Sequence, residues 1–88
     1  MQLTKEKIIN KICYTELVYG RINKKLDIDL PKEKIEKLIL ETIKNTPEDS
    51  ITKIGKNYYL KNNQKNIQIT INSNTFRVIT VDKIIISN

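Results

Sequence analysis

The groups able to do chemistry in this 88-residue chain are carboxylates, lysines, two arginines, four tyrosines and one thiol, with no histidine. Without histidine there is no imidazole general base, no Ser-His-Asp or Cys-His nucleophile system, and no imidazole metal ligand. Cys13 is the single cysteine, which excludes zinc-finger and iron–sulfur spacings and any disulfide within the chain. Gly20 and Gly55 are the only glycines, so no glycine-rich phosphate loop exists. Asp27 and Asp29 are too few for a calcium loop and read as solvated connection residues. No metal or other cofactor is expected. Cys13 has two readings. A neighbouring helix N-terminus could activate the thiol. A small buried hydrophobe is the commoner situation and is preferred.

RNA cleavage by attack of the 2′-hydroxyl is a reaction that can use the remaining types. A carboxylate or a lysine moves the proton, cations stabilise the phosphorane, and a tyrosine stacks or orients. Glu16, Lys56 and Tyr59 are the catalytic candidates. Arg21 and Arg77 would hold phosphate, arginine forks being suited to bidentate contact. Asn57, Thr70, Lys61 and Lys65 complete a candidate surface for a nucleic acid or a protein partner. Plainer readings stand beside these. Tyr59 is also an ordinary strand residue that a tail could cover, and Arg77 could make a cross-strand contact to Thr70.

Charge points the same way. Residues 1–50 hold 10 Lys/Arg against 9 Asp/Glu, whereas residues 51–88 hold 6 against one, Asp82. The second half therefore carries nearly all of the net +6. Such a field attracts polyanions, RNA or DNA or an acidic protein surface. Lysines on solvent-facing strands also serve solubility and oppose edge aggregation, and that simpler reading is given slightly more weight.

The elements that must position these residues follow from periodicity. Thr4 can cap a first helix with Ile8, Ile9 and Ile12 on one side. Thr15 caps a second, Glu16 to Leu26, with Val18, Ile22 and Leu26 at four-residue spacing and Leu17 beside them. Gly20 costs about 1 kcal/mol in mid-helix, which predicts close packing at that point or a later helix start. Pro31 suits the first turn of a third helix with a stripe of Ile35, Leu38, Ile39, Thr42 and Ile43. Glu33 and Lys37 are spaced for a surface pair. Asn45, Thr46 and Pro47 end it.

From Ile51 the period becomes 2. Ile51–Ile54 and Asn57–Lys61 read as strands about a Gly55-Lys56 hairpin turn. A polar loop over 62–65 leads to Asn66–Asn72, and Ser73-Asn74 leads to Thr75–Val81. Ile84, Ile85 and Ile86 extend that strand or pack as a tail. Pairing Leu60 with Ile67 and Ile71 with Phe76 gives an inward face of Tyr58, Leu60, Ile67, Ile69, Ile71, Phe76 and Val78. The outward rows are then Asn57, Thr70, Arg77 and Tyr59, Gln68, Ile79. The predicted fold is α+β: three N-terminal helices on one face of a four-stranded antiparallel meander. It forms a single domain over residues 1–88, helical over 1–47 and sheet over 51–88.

Tyr14-Thr15-Glu16-Leu17, Arg21-Ile22 with Leu26, Gly55-Lys56-Asn57-Tyr58-Tyr59, Ile69-Thr70-Ile71-Asn72-Ser73 and Ile79-Thr80 form a moderately specific combination. Together they resemble a small bacterial family catalogued as domain of unknown function 3781, over about Cys13 to Lys83. The family has no established activity. The resemblance adds Thr15, Asn72 and Thr80 to the candidates. Gly55 and Asn72 already have a turn role. Its pattern near the last strand usually reads Ile-Thr-Ala-His, whereas this chain has Thr80-Val81-Asp82. If the histidine serves catalysis in relatives, this copy is altered or inactive. A second likeness, of fold alone, is to toxin-type endoribonucleases of the RelE and barnase–EndoU–colicin group.

Two functions are therefore expected, besides a plain homodimer joined through the Ile84–Ile86 tail. One is an RNA-directed protein, a toxin-like endoribonuclease or a degenerate relative. The other is a non-enzymatic phage or mobile-element protein that inhibits an acidic or nucleic-acid-bearing bacterial complex such as a CRISPR effector. No segment reaches the length of a membrane span. The N-terminal stretch lacks the apolar run of a signal peptide, and a cytoplasmic protein is expected.

Overall fold

The computed structural model describes residues 4–84. Three helices, α1 (Thr4–Lys11), α2 (Glu16–Leu26) and α3 (Lys32–Asn45), precede four strands, β1 (Ile51–Ile54), β2 (Asn57–Asn62), β3 (Ile67–Asn72) and β4 (Val78–Lys83). The strands form one antiparallel sheet in the order β1-β2-β3-β4. The expected α+β arrangement is therefore present. One core joins Ile8, Val18, Ile22, Leu26, Ile35, Ile39 and Ile43 from the helices to Leu60, Ile67, Ile69, Ile71, Phe76, Val78 and Val81 from the sheet side. All three helices use the same sheet face, because only that face alternates into an aliphatic stripe.

Local chemistry sets the element ends. Thr15 is the N-cap of α2, though its side chain makes no capping bond. Asp27 closes α2 in the left-handed conformation, which Asp and Asn tolerate better than most residues. Asn23 then clamps the connection, accepting from the Leu30 N–H at 3.0 Å and donating to its carbonyl at 3.1 Å. Gly55 has φ +60°, as a two-residue hairpin turn with glycine first demands.

The register differs from the predicted one. Leu60 pairs with Ile69, not Ile67, because β2 continues through Lys61 and Asn62 before turning. Asn62, expected in a polar loop, is 2% exposed. Its amide donates to Thr46 Oγ1 at 3.1 Å and to the Thr42 carbonyl at 3.3 Å, and its oxygen accepts from the Lys65 N–H at 2.9 Å. Those bonds satisfy an amide that would otherwise be costly to bury and tie α3 to the sheet.

The last hairpin also shifts. Asn72 Oδ1 accepts from the Asn74 and Thr75 N–H groups, and Phe76 takes φ +60°, so β4 starts at Val78 rather than Thr75. That conformation is a strained one for a bulky residue. Bonds from Phe76 N–H to the Asn72 carbonyl and from Cys13 N–H to the Phe76 carbonyl, both 2.9 Å, hold it. Ile71 then faces Val78, and an irregularity puts Thr70 opposite Thr80 and Ile69 opposite Val81. This brings Val81 inward, which the predicted face omitted. Arg77 makes no cross-strand pair with Thr70.

Three helical expectations are corrected. Leu17 is 82% exposed because it lies off the Val18–Ile22–Leu26 stripe. Gly20 is in regular helix, and a Cβ there would meet nothing within 4 Å. Among the described residues the ion pairs are Lys25–Asp82 and Lys32–Glu16, and Glu33–Lys37 is not one of them. Cys13 is exposed, not buried. Ile85 and Ile86 lie outside the described residues. No helix among them is long and apolar enough to cross a membrane.

Candidate functional site

The outward face of the sheet is built by the residues that alternate with the core. Asn57, Tyr59 and Lys61 lie on β2, alternating with the inward Tyr58, Leu60 and Asn62. On β3, Gln68, Thr70 and Asn72 alternate with Ile67, Ile69 and Ile71. Pairing aligns Thr52, Tyr59, Thr70 and Thr80 in one row across all four strands. The irregularity in β4 is what brings Thr80 into that row. Every member carries a hydroxyl.

The row is graded in exposure. Thr52 is exposed, Tyr59 and Thr80 are half-buried, and Thr70 is 6% exposed. The Thr80 hydroxyl oxygen is buried and has no hydrogen-bond partner among the described residues. A buried unmatched hydroxyl costs about 1–3 kcal/mol, and such groups in folded proteins call for an explanation. Asn57 Nδ2 donates to the Tyr59 hydroxyl across a long 3.5 Å, which leaves the phenol free to donate elsewhere. A shallow groove of 450 Å³ opens beside the row, lined by Asp49, Ser50, Thr52, Ile54, Tyr59, Lys61 and Gln68.

Basic groups of the sheet half are exposed but lie mainly around the rim. Lys56 and Arg77 belong to the end where Ser73 N–H donates to the Lys56 carbonyl and Asn72 N–H to the Arg77 carbonyl. Lys65 and Lys83 occupy the opposite end, where Ile67 pairs with Lys83. Lys61 stands on the face itself. The charge asymmetry of the sequence thus becomes a polar platform with cations at both ends.

The predicted residues separate into three groups. Asn57, Tyr59, Lys61 and Thr70 share the outward face. Lys56, Arg77 and Lys65 sit at its ends. Glu16 and Arg21 belong to α2 and are occupied elsewhere. Glu16 Oε2 accepts from Lys32 Nζ at 2.7 Å. Arg21 donates to the Ile79 carbonyl at 3.3 Å, and with Lys25 on Asp82 at 3.0 Å it fastens α2 along β4. The backbone of Cys13 bridges Arg77, just before that strand begins. Asp82 is therefore a partner of α2.

A cluster missed in the sequence surrounds Glu16. Tyr14 and Tyr19 stack at 5.7 Å, Tyr19 donates to Glu36 at 2.8 Å, and Lys32 lies 5.3 Å over the Tyr19 ring. Loss of hydration, then the hydrogen bond to Glu36 and the Glu36 and Glu16 charges, push the Tyr19 phenol up to about 12. Desolvation, then the Glu36 charge, raises Tyr14 above the ordinary 10.0. Both phenols are held protonated, and the cluster closes on itself as a brace between α2 and α3. Lys32 and Glu36, one turn apart on α3, were the available signal, but nothing in the spacing brings Tyr19 between them.

What the geometry defines is a two-layer α+β domain with a polar, hydroxyl-rich sheet face as its most site-like surface. Among known families, the one described as Protein of unknown function (DUF3781) matches residues 6–82, and the chain belongs to it. No curated protein and no solved structure matches, so the likeness to toxin-type endoribonucleases rests on element order alone.

Proposed function

We propose that this protein is a binding module for single-stranded RNA, read on the outward sheet face without cleavage by the residues named above. The observation that carries the reading is the row Thr52–Tyr59–Thr70–Thr80 with Lys61 beside it and cations at both ends. A tyrosine on an open sheet offers a sequence-tolerant stack for one base, and the exposed Thr52 hydroxyl and the half-buried Asn57 and Gln68 amides beside it can bond base edges or the ribose 2′-hydroxyl. The six residues of β2 span about 20 Å, long enough for a short stretch of strand between Lys56 and Lys65. Binding is favoured over cleavage because Glu16 is paired to Lys32 in the helical layer while Tyr59 faces away from it. The endoribonuclease reading with Glu16 as the acid/base needs both in one site.

The test is fluorescence anisotropy with a labelled single-stranded RNA across a salt series. Affinity should fall with salt with a log–log slope of roughly −0.7 for each phosphate neutralised, about −2 to −3 for three or four cations. Tyr59→Ala should weaken binding by about 1–3 kcal/mol, and the RNA should remain intact. Salt-independent or absent binding would favour a protein partner. Cleavage that survives in wild type and vanishes in Lys56→Ala would restore the enzyme.

A further inference from the structure

At the end of the molecule away from the Gly55 turn, the two layers part and leave a groove of 330 Å³. Leu26 at the end of α2, Ile28 in the following connection, Leu38 on α3, Ile67 on β3 and Ile84 line it, with Lys65, Asn66 and Lys83. The walls are aliphatic, and the charged groups are both cationic. Ile67 and Lys83 are direct cross-strand partners, and Asn66 accepts from the Ile84 N–H at 2.8 Å, so both lysine-bearing segments are fixed at the mouth. Neither lysine has a carboxylate partner among the described residues.

The groove is at the small end of the size range of ligand pockets, about 300–1,000 Å³. An aliphatic cleft with two unpaired ammonium groups complements one kind of molecule: an unbranched alkyl chain ending in an anion. A second copy of this chain would bring the same lysines together. A nucleic acid offers anions but nothing to fill aliphatic walls. We propose that this groove binds a free medium-chain fatty acid, its alkyl chain between Leu26, Leu38 and Ile67 and its carboxylate at Lys65 and Lys83. The apolar walls lie between the layers, on the opposite side of the sheet from Tyr59; Lys65 is shared with the proposed RNA surface, so Lys83→Ala and the chain-length series read this groove apart from RNA binding.

The experiment is calorimetric titration of the full chain with hexanoate, octanoate and decanoate below their micellar range. 1-Decanol and decyltrimethylammonium serve as controls. Binding should be saturable and tighten about fourfold per methylene buried. Decanol should bind about fivefold or more weakly than decanoate, and the ammonium more weakly still. Lys65→Ala and Lys83→Ala, both at exposed positions and safe for folding, should each reduce decanoate affinity while leaving decanol unchanged. No saturation by decanoate below about 1 mM overturns the proposal. So does equal binding of all three head groups, or affinity that ignores chain length.

Discussion

Replacing Asn62 probes the joint between helices and sheet. Its side chain is 2% exposed and makes three hydrogen bonds, to Thr46, Thr42 and Lys65. Asn62→Ala removes all three and leaves a small cavity. The Thr42 carbonyl keeps a second donor, Thr46 Oγ1 at 2.6 Å, and the half-buried N–H of Lys65, an exposed residue, can turn to water. The loss is therefore about 1 kcal/mol for each of two or three bonds plus a cavity contribution, about 2–4 kcal/mol in all. In a domain whose stability is about 5–10 kcal/mol, that is a large fraction. Urea unfolding followed by far-UV circular dichroism should show a lower midpoint with an unchanged slope. Asn62→Asp refines the test. An ionised aspartate could still accept from Lys65 but would face the Thr42 carbonyl, so folding raises its pKa above the unfolded value of about 3.9. A raised carboxyl destabilises at pH above the unfolded pKa and ceases to do so below it. The Asp variant should thus approach wild type at pH 3–4 and fall behind it by pH 7. A loss under 0.5 kcal/mol for Asn62→Ala, or a pH-independent difference for Asn62→Asp, would refute the buried network.

Other consequences are independent of that joint. Gly20→Ala should stabilise the fold by about 1 kcal/mol, a rise of about 4–8 °C in Tm, since the added Cβ meets nothing. Destabilisation would mean that α2 is irregular at that turn. Tyr14 and Tyr19 both have raised pKa values when folded, Tyr19 to about 12. Their contribution is complete below the unfolded value near 10 and declines as pH rises from there towards 12. Denaturant midpoints at pH 9, 10 and 11 should fall, and less steeply in a Tyr14→Phe/Tyr19→Phe double variant; equal slopes would dispose of the brace. Leu17→Gln should change stability by less than about 0.5 kcal/mol, because that side chain is 82% exposed; a loss above 2 kcal/mol would restore its predicted core position.

The fold was legible where a single period dominated. The stripes of α2 and α3 and the Gly55-Lys56 turn each reflect a rule acting over a few residues. Register was not legible, because it depends on where a turn closes. Asn62 reads as loop chemistry, yet its amide finds partners on α3, a long-range fact that no window of β2 contains. Phe76 adopts a conformation that its type disfavours, since bonds from Cys13 and Asn72 outweigh the local preference. The candidate surface was legible in part for the same reason. Alternation alone turns Tyr59, Lys61 and Thr70 outward, but Thr80 joins their row only through the irregularity in β4. Glu16 and Arg21 carry the residue types for a reaction, and their positions on α2 give them to Lys32 and to β4.

The most direct test of the proposed surface is a two-dimensional amide and side-chain NMR titration with a short single-stranded RNA. The account predicts shifts confined to Thr52, Asn57, Tyr59, Lys61, Gln68, Thr70 and Thr80, with smaller changes at Lys56 and Lys65. Shifts gathered instead on α2 and α3, around Leu17 and Lys24, with the sheet residues unmoved, would contradict it.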